Sequence, residues 1–546
     1  MLPVSPMCSA GIDSVYRGGA VRRRGGRCLL LGWLLALVPV AAVAQPGPLT
    51  PARVAELLPA PGILRNSVTN LHAEGDSLWV GPFLNLTTDE GATWQQADAD
   101  SLFGSRNRVF SIDVEGPVVW VGLGFSTADG VQAAGGFLVS TDGGRTFAYR
   151  FPQLDAPDDD RVTYGVSTLE ALPVIVPEQS PPFDIDYDPV RDEVWVAGWA
   201  SGIRRSDDGG ASWTRVVLPP DDLDAIAPDQ PYDFVLEPER GTAGNRNHMG
   251  FSVLVDETGT VWAGTVQGVN RSTPADLDPE TGERAWQRFS FDGTPFSLTG
   301  NWVTSIEEQP LPGRNPVWMA TWDASEVQGE RQRFGVTVTR DGGAMFEQAL
   351  VGERIYDFAF RGETVYAAGE GGLFISDDGG RTWRTVRDFY DPAQPDRRMR
   401  PGVEVFSVAT TSGALWVGTA DGLARSTDGG LTWRIFRAEV PVDPDTPSDA
   451  IPRVDTYAYP NPFSPVAHQW VRLRYRLDRE ASVEIRLFDF GMNLVRTLVD
   501  ERQPPGEREV VWDGTDDGGL RVANGPYFYT VDVGGETFRG KILVIE

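Results

Sequence analysis

Ser426-Thr427-Asp428-Gly429-Gly430-Leu431-Thr432-Trp433 is the stretch that decides the fold. A short hydroxyl and a carboxylate two residues apart can both hydrogen-bond the backbone of a tight turn, and glycine admits positive φ there. The closing indole is then free to bury between strands. Ser376 to Trp383 repeats the pattern closely, and Thr87 to Trp94, Ser140 to Phe147, Ser206 to Trp213 and Thr339 to Phe346 are further copies. A degenerate copy keeps Ser272-Thr273 and Trp286 around an insertion. Turn chemistry accounts for Asp89, Asp142, Asp208, Asp341, Asp378 and Asp428, so these aspartates read as structural.

About ten residues before each turn, unless a longer loop intervenes, runs an apolar strand that ends in small residues. It reads Leu78-Trp79-Val80-Gly81, Val119-Trp120-Val121-Gly122, Val194-Trp195-Val196-Ala197-Gly198 and Val261-Trp262-Ala263-Gly264. It returns as Val317-Trp318-Met319-Ala320, Val365-Tyr366-Ala367-Ala368-Gly369 and Leu415-Trp416-Val417-Gly418. An alternating strand opens each unit: Val68 to Leu71, Val109 to Val114, Phe183 to Tyr187, Phe251 to Val255, Val303 to Ile306, Ile355 to Phe360 and Val405 to Ala409. Each unit thus holds four short antiparallel strands, the pattern of a propeller blade, and blades bury their faces only against one another. The expected fold is all-β: a seven-bladed β-propeller over residues 65–437, followed by a small Ig-like sandwich.

Composition agrees. Across 546 residues, Gly (61), Pro (41), Trp (17) and Phe (26) are plentiful, and Lys541 is the single lysine. A formal charge of −29 speaks against nucleic acid as a partner, since a polyanion needs a basic surface. The N-terminus reads as a signal peptide over 1–44: Arg22, Arg23, Arg24 and Arg27, an apolar run from Cys28 to Val43, then Ala42-Val43-Ala44. Residues 45–64 are expected to be a lead-in. Both cysteines, Cys8 and Cys28, precede the cut, so no disulfide is expected in the mature chain.

The turn S/T-x-D-x-G-x-T/S-W resembles the Asp-box (BNR) repeat of sialidases, xyloglucanase-type glycosidases, sortilin-type receptors and photosystem-assembly propellers, where the box is structural. After a Pro/Asp-rich linker over 438–456, residues 457–546 carry a second resemblance. Trp512-Asp513-Gly514-Thr515-Asp516-Asp517-Gly518-Gly519 with Asn524-Gly525-Pro526-Tyr527-Phe528-Tyr529 looks like the Ig-like domain of the flagellar hook-capping protein FlgD. Tyr459-Pro460-Asn461-Pro462-Phe463 and Lys541-Ile-Leu-Val-Ile look like the C-terminal sorting domain of type IX secretion cargo. That resemblance implies secretion machinery as a partner of this domain, and a secreted or outer-membrane-surface location. The acidic loop Asp513 to Asp517 reads as a Gly-bearing turn rather than a calcium loop.

Long insertions, such as Phe151 to Pro182 and Leu218 to Arg246, fall on the face opposite the Asp boxes, where binding sites usually form. Polar residues at the starts of the innermost strands should ring the channel mouth: Arg65, Arg106, Arg246, His248, Arg354 and Glu404, with Trp302 and Trp322 placed to stack on a ligand. Trp199 is expected to be packing. With three histidines, no phosphate loop and no dinucleotide fingerprint, neither cofactor nor metal is expected. Two functions fit: a monomeric, non-catalytic binding or scaffold protein for polysaccharide or a surface protein; alternatively, a sialidase-like or xyloglucanase-like glycosidase acting on extracellular polysaccharide.

Overall fold

The structure, a computed structural model, describes residues 55–60, 62–97, 107–238, 245–313, 315–325, 331–438, 456–459, 461–465 and 470–545. The signal segment, most of the linker and Arg106 lie outside the described residues. The described chain is all-β with two single-turn 3-10 helices, and its sheets are overwhelmingly antiparallel. No helix among the described residues is long and apolar enough to cross a membrane.

Among the described residues, seven four-stranded meanders follow one another. Their first strands are Leu71–Glu74, Arg108–Glu115, Asp184–Asp188, Gly250–Val255, Trp302–Glu308, Ile355–Arg361 and Val405–Thr410. Each of these inner strands packs beside the next, and the last returns to the first. The opening strand expected at Val68 to Leu71 therefore sits three residues later. The expected lead-in is also more than a lead-in: Ala55–Ala60 pairs with Trp94–Ala97 and touches Thr146–Arg150, joining the first two units. The seam between last and first units is held by backbone bonds from Val68 N to Thr419 O (2.9 Å) and Gly422 N to Asn66 O (2.6 Å).

The Trp strand and the Asp turn are two halves of one contact. A Cβ built on the turn glycine of one unit would strike the indole of the unit before it. Gly144 would meet Trp79 at 2.0 Å, Gly380 Trp318 at 2.5 Å, Gly210 Trp120 at 2.9 Å and Gly343 Trp262 at 3.2 Å. Gly91 would meet Trp416 at 3.0 Å, which carries the contact across the seam. Only a residue without Cβ, at φ between +78° and +91° at these five positions, lets the turn backbone lie on the ring. Trp195 faces the unit whose box is degenerate, and there the Arg205 and Arg284 guanidinium groups lie 6.0 and 5.5 Å from its ring centroid instead. In that unit, Thr273 and Asp276 cap a 3-10 turn, Thr273 Oγ1 donating to Asp276 Oδ2 at 2.6 Å.

After the linker, a three-stranded and a four-stranded sheet share one core around Phe463, Val483, Ile485, Trp512 and Tyr529. The strand Leu494–Gln503 is an addition to the sequence reading; its Val495, Leu498 and Val499 pack on the core while Asp500 to Arg502 are exposed and charged. The loop from Asp513 is a turn: Asp513 Oδ1 accepts from Thr515 N (3.0 Å) and Asp516 Oδ1 from Gly518 N (2.9 Å). This domain meets the last unit through buried charges. Arg472 pairs with Asp421 at 2.6 Å and with Glu509 at 3.5 Å, and Arg437 joins Asp421 at 3.4 Å. Against its own burial, the two guanidinium groups hold Asp421 below the usual carboxylate range. Removing one partner from such a buried network leaves an uncompensated charge and costs about 3–5 kcal/mol.

Candidate functional site

The inner strands carry a feature that the sequence reading passed over. In five of the seven the register skips one residue near its start, a β-bulge, and the skipped residues are Phe110, Phe251, Thr304, Tyr356 and Phe406; Leu71–Glu74 and Asp184–Asp188 pair without a skip. A bulged residue is released from the pleat and its side chain is re-aimed. With Phe183 and Trp302, the rings form a half-buried collar around the mouth of the ring of strands. Neighbouring centroids lie 6.2 Å apart for Phe110 and Phe183, 4.3 Å for the stacked Phe183 and Phe251, and 5.3 Å for Phe251 and Trp302. The chain continues from Trp302 to Trp322 (5.5 Å), to Tyr356 (5.8 Å) and to Phe406 (6.2 Å). Trp199, expected to be packing, joins it 5.6 Å from Trp302. The first unit supplies Asn70 instead, whose Nδ2 donates to Phe110 O at 2.6 Å.

Four of the expected site residues meet here. Trp302 and Trp322 are in the collar. The Arg354 guanidinium lies 5.1 Å from the Trp322 ring and 4.4 Å from Phe334, with Glu370 at 3.9 Å. Glu404 accepts a short hydrogen bond from the Tyr356 hydroxyl. Arg246 is close by, its Nη1 donating to Ala324 O at 2.8 Å, two residues beyond Trp322. Arg65 stands apart, exposed, over Phe83 at 5.3 Å and next to Arg108. His248 is buried against Phe234 with Nε2 3.2 Å from Leu218 O, and burial lowers its pKa to about 4. It is neutral at ordinary pH and packed away from the mouth.

Along the same strands lie carboxylates. Asp113 Oδ2 accepts from Tyr187 N, Asp184 Oδ2 from Val253 N and Asp357 Oδ2 from Val408 N, at 2.8, 2.9 and 2.9 Å. Each bond stitches one inner strand to the next, where no ladder exists. Burial pushes Asp113 up to about 6 and Asp184 and Asp357 up to about 7. Asp186 and Glu307 are raised in the same direction, by burial and then by the neighbouring carboxylates. The Glu307 carboxyl has no hydrogen-bond partner among the described residues. Among the described residues, no three His, Cys, Asp or Glu side chains are placed to hold a metal ion.

The signal for the collar was present as a doublet, an aromatic followed by a small polar residue. It appears as Phe110-Ser111, Phe183-Asp184, Phe251-Ser252, Tyr356-Asp357 and Phe406-Ser407. In four of the five the second member reaches the next unit, as Ser111 Oγ donates to Pro182 O (3.0 Å) and Ser252 Oγ to Val303 O (3.1 Å), with Asp184 and Asp357 accepting as above.

Comparison with known proteins agrees with both halves of the chain. The BNR/Asp-box repeat profile matches residues 374–385 and the FlgD Ig-like domain profile matches residues 467–536. The chain therefore carries a BNR/Asp-box β-propeller region and a FlgD Ig-like domain. No curated protein sequence matches it. Among solved structures, PorZ, a surface component of the type-IX secretion system of Porphyromonas gingivalis, is 14% identical with a TM-score of 0.31, over 88% of this chain and 75% of that one. YCF48 from Cyanidioschyzon merolae is 18% identical with a TM-score of 0.39, over 68% and 97%. The GH74 xyloglucanase of Xanthomonas campestris is 14% identical with a TM-score of 0.44, over 88% and 80%. These likenesses are too loose to transfer a function.

Proposed function

We propose that this is an exported, non-catalytic binding protein whose seven-bladed propeller recognises a ligand at the aromatic collar, while an Ig-like sandwich directs it through the outer membrane. The observation that carries the reading is the collar itself. Half-buried rings contributed by six successive inner strands and the loops beside them are more apolar surface than one channel mouth needs for packing. They sit on a rigid scaffold at the end that bears the long insertions. The signal-type N-terminus and the FlgD Ig-like match support export and sorting, with a final location in the medium or on the outer-membrane surface.

The test is a glycan array and a peptide panel probed with the full chain and with Trp302→Ala. Binding that is lost in the variant while the unfolding temperature is kept supports the collar. Equal binding by both proteins removes it. A glycosidase reading has one observation in its favour, the carboxyls with pKa near 7 beside the collar, a range suited to a general acid. Turnover of 4-methylumbelliferyl glycosides, abolished by Asp357→Asn, would replace the binding reading with that one.

A further inference from the structure

Among the described residues, no cation is seen to act on the channel carboxylates. The charged groups that act on Asp113, Asp184, Asp186 and Glu307 are all carboxylates, and no arginine stands among them. Clustered acids without a counter-charge are costly. Stitching of neighbouring strands explains Asp113, Asp184 and Asp357, but serine does the same work at Ser111 and Ser252 without a charge. It does not explain Glu307, which pins nothing. Among the described residues, no three of these acids converge to chelate a metal ion, so the wall offers its charge to a cation carried in from the mouth.

The collar stands at the right distance from these acids. Asp184 and Asp357 directly follow Phe183 and Tyr356, while Asp113 and Asp186 lie three residues past Phe110 and Phe183. At a strand rise of about 3.3 Å per residue, the carboxylates lie roughly 3–10 Å along the strands from the rings. That is the span of a lysine or arginine side chain, whose stem is apolar and whose head is charged. Aromatic rings hold such cations by their electron-rich faces.

We propose that the collar and the channel form a docking site for a protein partner's exposed peptide segment carrying a lysine or arginine, with the stem among the rings and the charged end among the carboxylates. A peptide suits the site better than a free amine. The rings from Phe110 round to Phe406 offer more apolar area than one alkyl stem covers, so flanking residues contribute. The proposal rests on the collar being a binding site, as argued above.

The experiment uses the full-length chain and fluorescein-labelled Gly/Ser heptapeptides with a central Lys, Arg, norleucine or Glu, with spermidine as a further arm, read by anisotropy at low salt. The Lys and Arg peptides are expected to bind at least about tenfold more tightly than the norleucine peptide, the Glu peptide weakest, with the preference falling as salt rises. Glu307→Gln should reduce the preference severalfold and leave norleucine binding unchanged. Trp302→Ala should weaken every peptide. Because the Glu307 carboxyl has no hydrogen-bond partner among the described residues, its glutamine variant is expected to fold, which thermal unfolding verifies. Equal affinity for Lys and norleucine peptides overturns the cationic class but leaves the collar as a binding site. Spermidine binding as tightly as the peptides overturns the peptide as occupant. Glycan binding lost in Trp302→Ala, with no peptide binding, overturns this proposal alone; no ligand sensitive to Trp302→Ala removes both.

Discussion

Two sets of acidic residues serve the same repeats and live in opposite electrostatic conditions. The box aspartates are nearly at the surface, yet all but Asp341 accept from hydroxyls on both sides and from backbone N–H groups. Thr382 Oγ1, Thr382 N, Ser376 Oγ and Arg381 N all donate to Asp378 and hold it at about 2. Against slight desolvation, the same arrangement holds Asp208 and Asp428 at about 2. The channel acids are enclosed and short of positive charge, and they are pushed up instead. Exposure alone would predict small shifts at the rim; hydrogen-bond supply decides the direction there, and desolvation decides it in the channel. The rim set closes its own turns, while in the channel Asp113, Asp184 and Asp357 tie one inner strand to the next.

The largest effect is expected where the rim contact is tightest. Gly144→Ala forces a Cβ to 2.0 Å from Trp79 at φ +81°, whereas Gly143→Ala, at φ +73°, meets nothing within 4 Å. The first should lose about 3 kcal/mol or more in urea unfolding and the second about 1 kcal/mol. Equal losses would mean that only backbone conformation matters at the box. Next, Asp208→Ala removes the acceptor for Ser206 Oγ, Ser212 Oγ and two backbone N–H groups and should cost about 1–2 kcal/mol. With a folded pKa of about 2, that contribution is present above the usual aspartate pKa and is lost as pH falls from there toward 2. A pH series of melting temperatures on wild type and variant reads this directly.

The channel should respond with the opposite sign. A carboxyl whose folded pKa is raised binds its proton more tightly in the native state, so stability declines as pH climbs from the usual carboxylate range through 7. Glu307→Gln should flatten that decline and raise stability at pH 8 by about 1 kcal/mol, with no change at pH 4. A variant less stable at pH 8 would show that Glu307 supports the fold. The smallest effect concerns the one box lacking its last hydroxyl, where Met345 is 52% exposed and offers only its N–H to Asp341 Oδ1. Met345→Thr should restore the missing bond and stabilise by about 0.5–1 kcal/mol.

Boxes and Trp strands are legible in the sequence because their chemistry is local: Asp428 and Thr432 are four residues apart and make their own turn. The partnership between a box glycine and the indole of the preceding unit is not legible, because it joins residues such as Trp79 and Gly144 across a sheet boundary. The collar was missed for a related reason. Alternation assigns Phe110 and Ser111 to opposite faces, but a bulge changes which residue is paired, and only the register reveals that. Arg354, Glu404, Trp302 and Trp322 stand out in the sequence by position at strand starts and along the loop-bearing end, and the structure brings them to one mouth. His248 satisfied the same rule and is buried, since the Leu218 carbonyl and Phe234, supplied by a long insertion, cover it.

The seam also fixes an order of events. Glu90 in the first box receives a hydrogen bond from Thr411 and its carbonyl one from Arg425, across 321 and 335 residues. A chain that emerges N-terminus first holds its opening turn without its indole until Trp416 has arrived. Ring closure is therefore the latest and most entropically demanding contact the propeller makes. Until then, six units present one uncovered flank at each end, both apolar. The Arg472–Asp421 pair adds the C-terminal domain to the same last unit, so completion of the ring and docking of that domain converge on one stretch of chain.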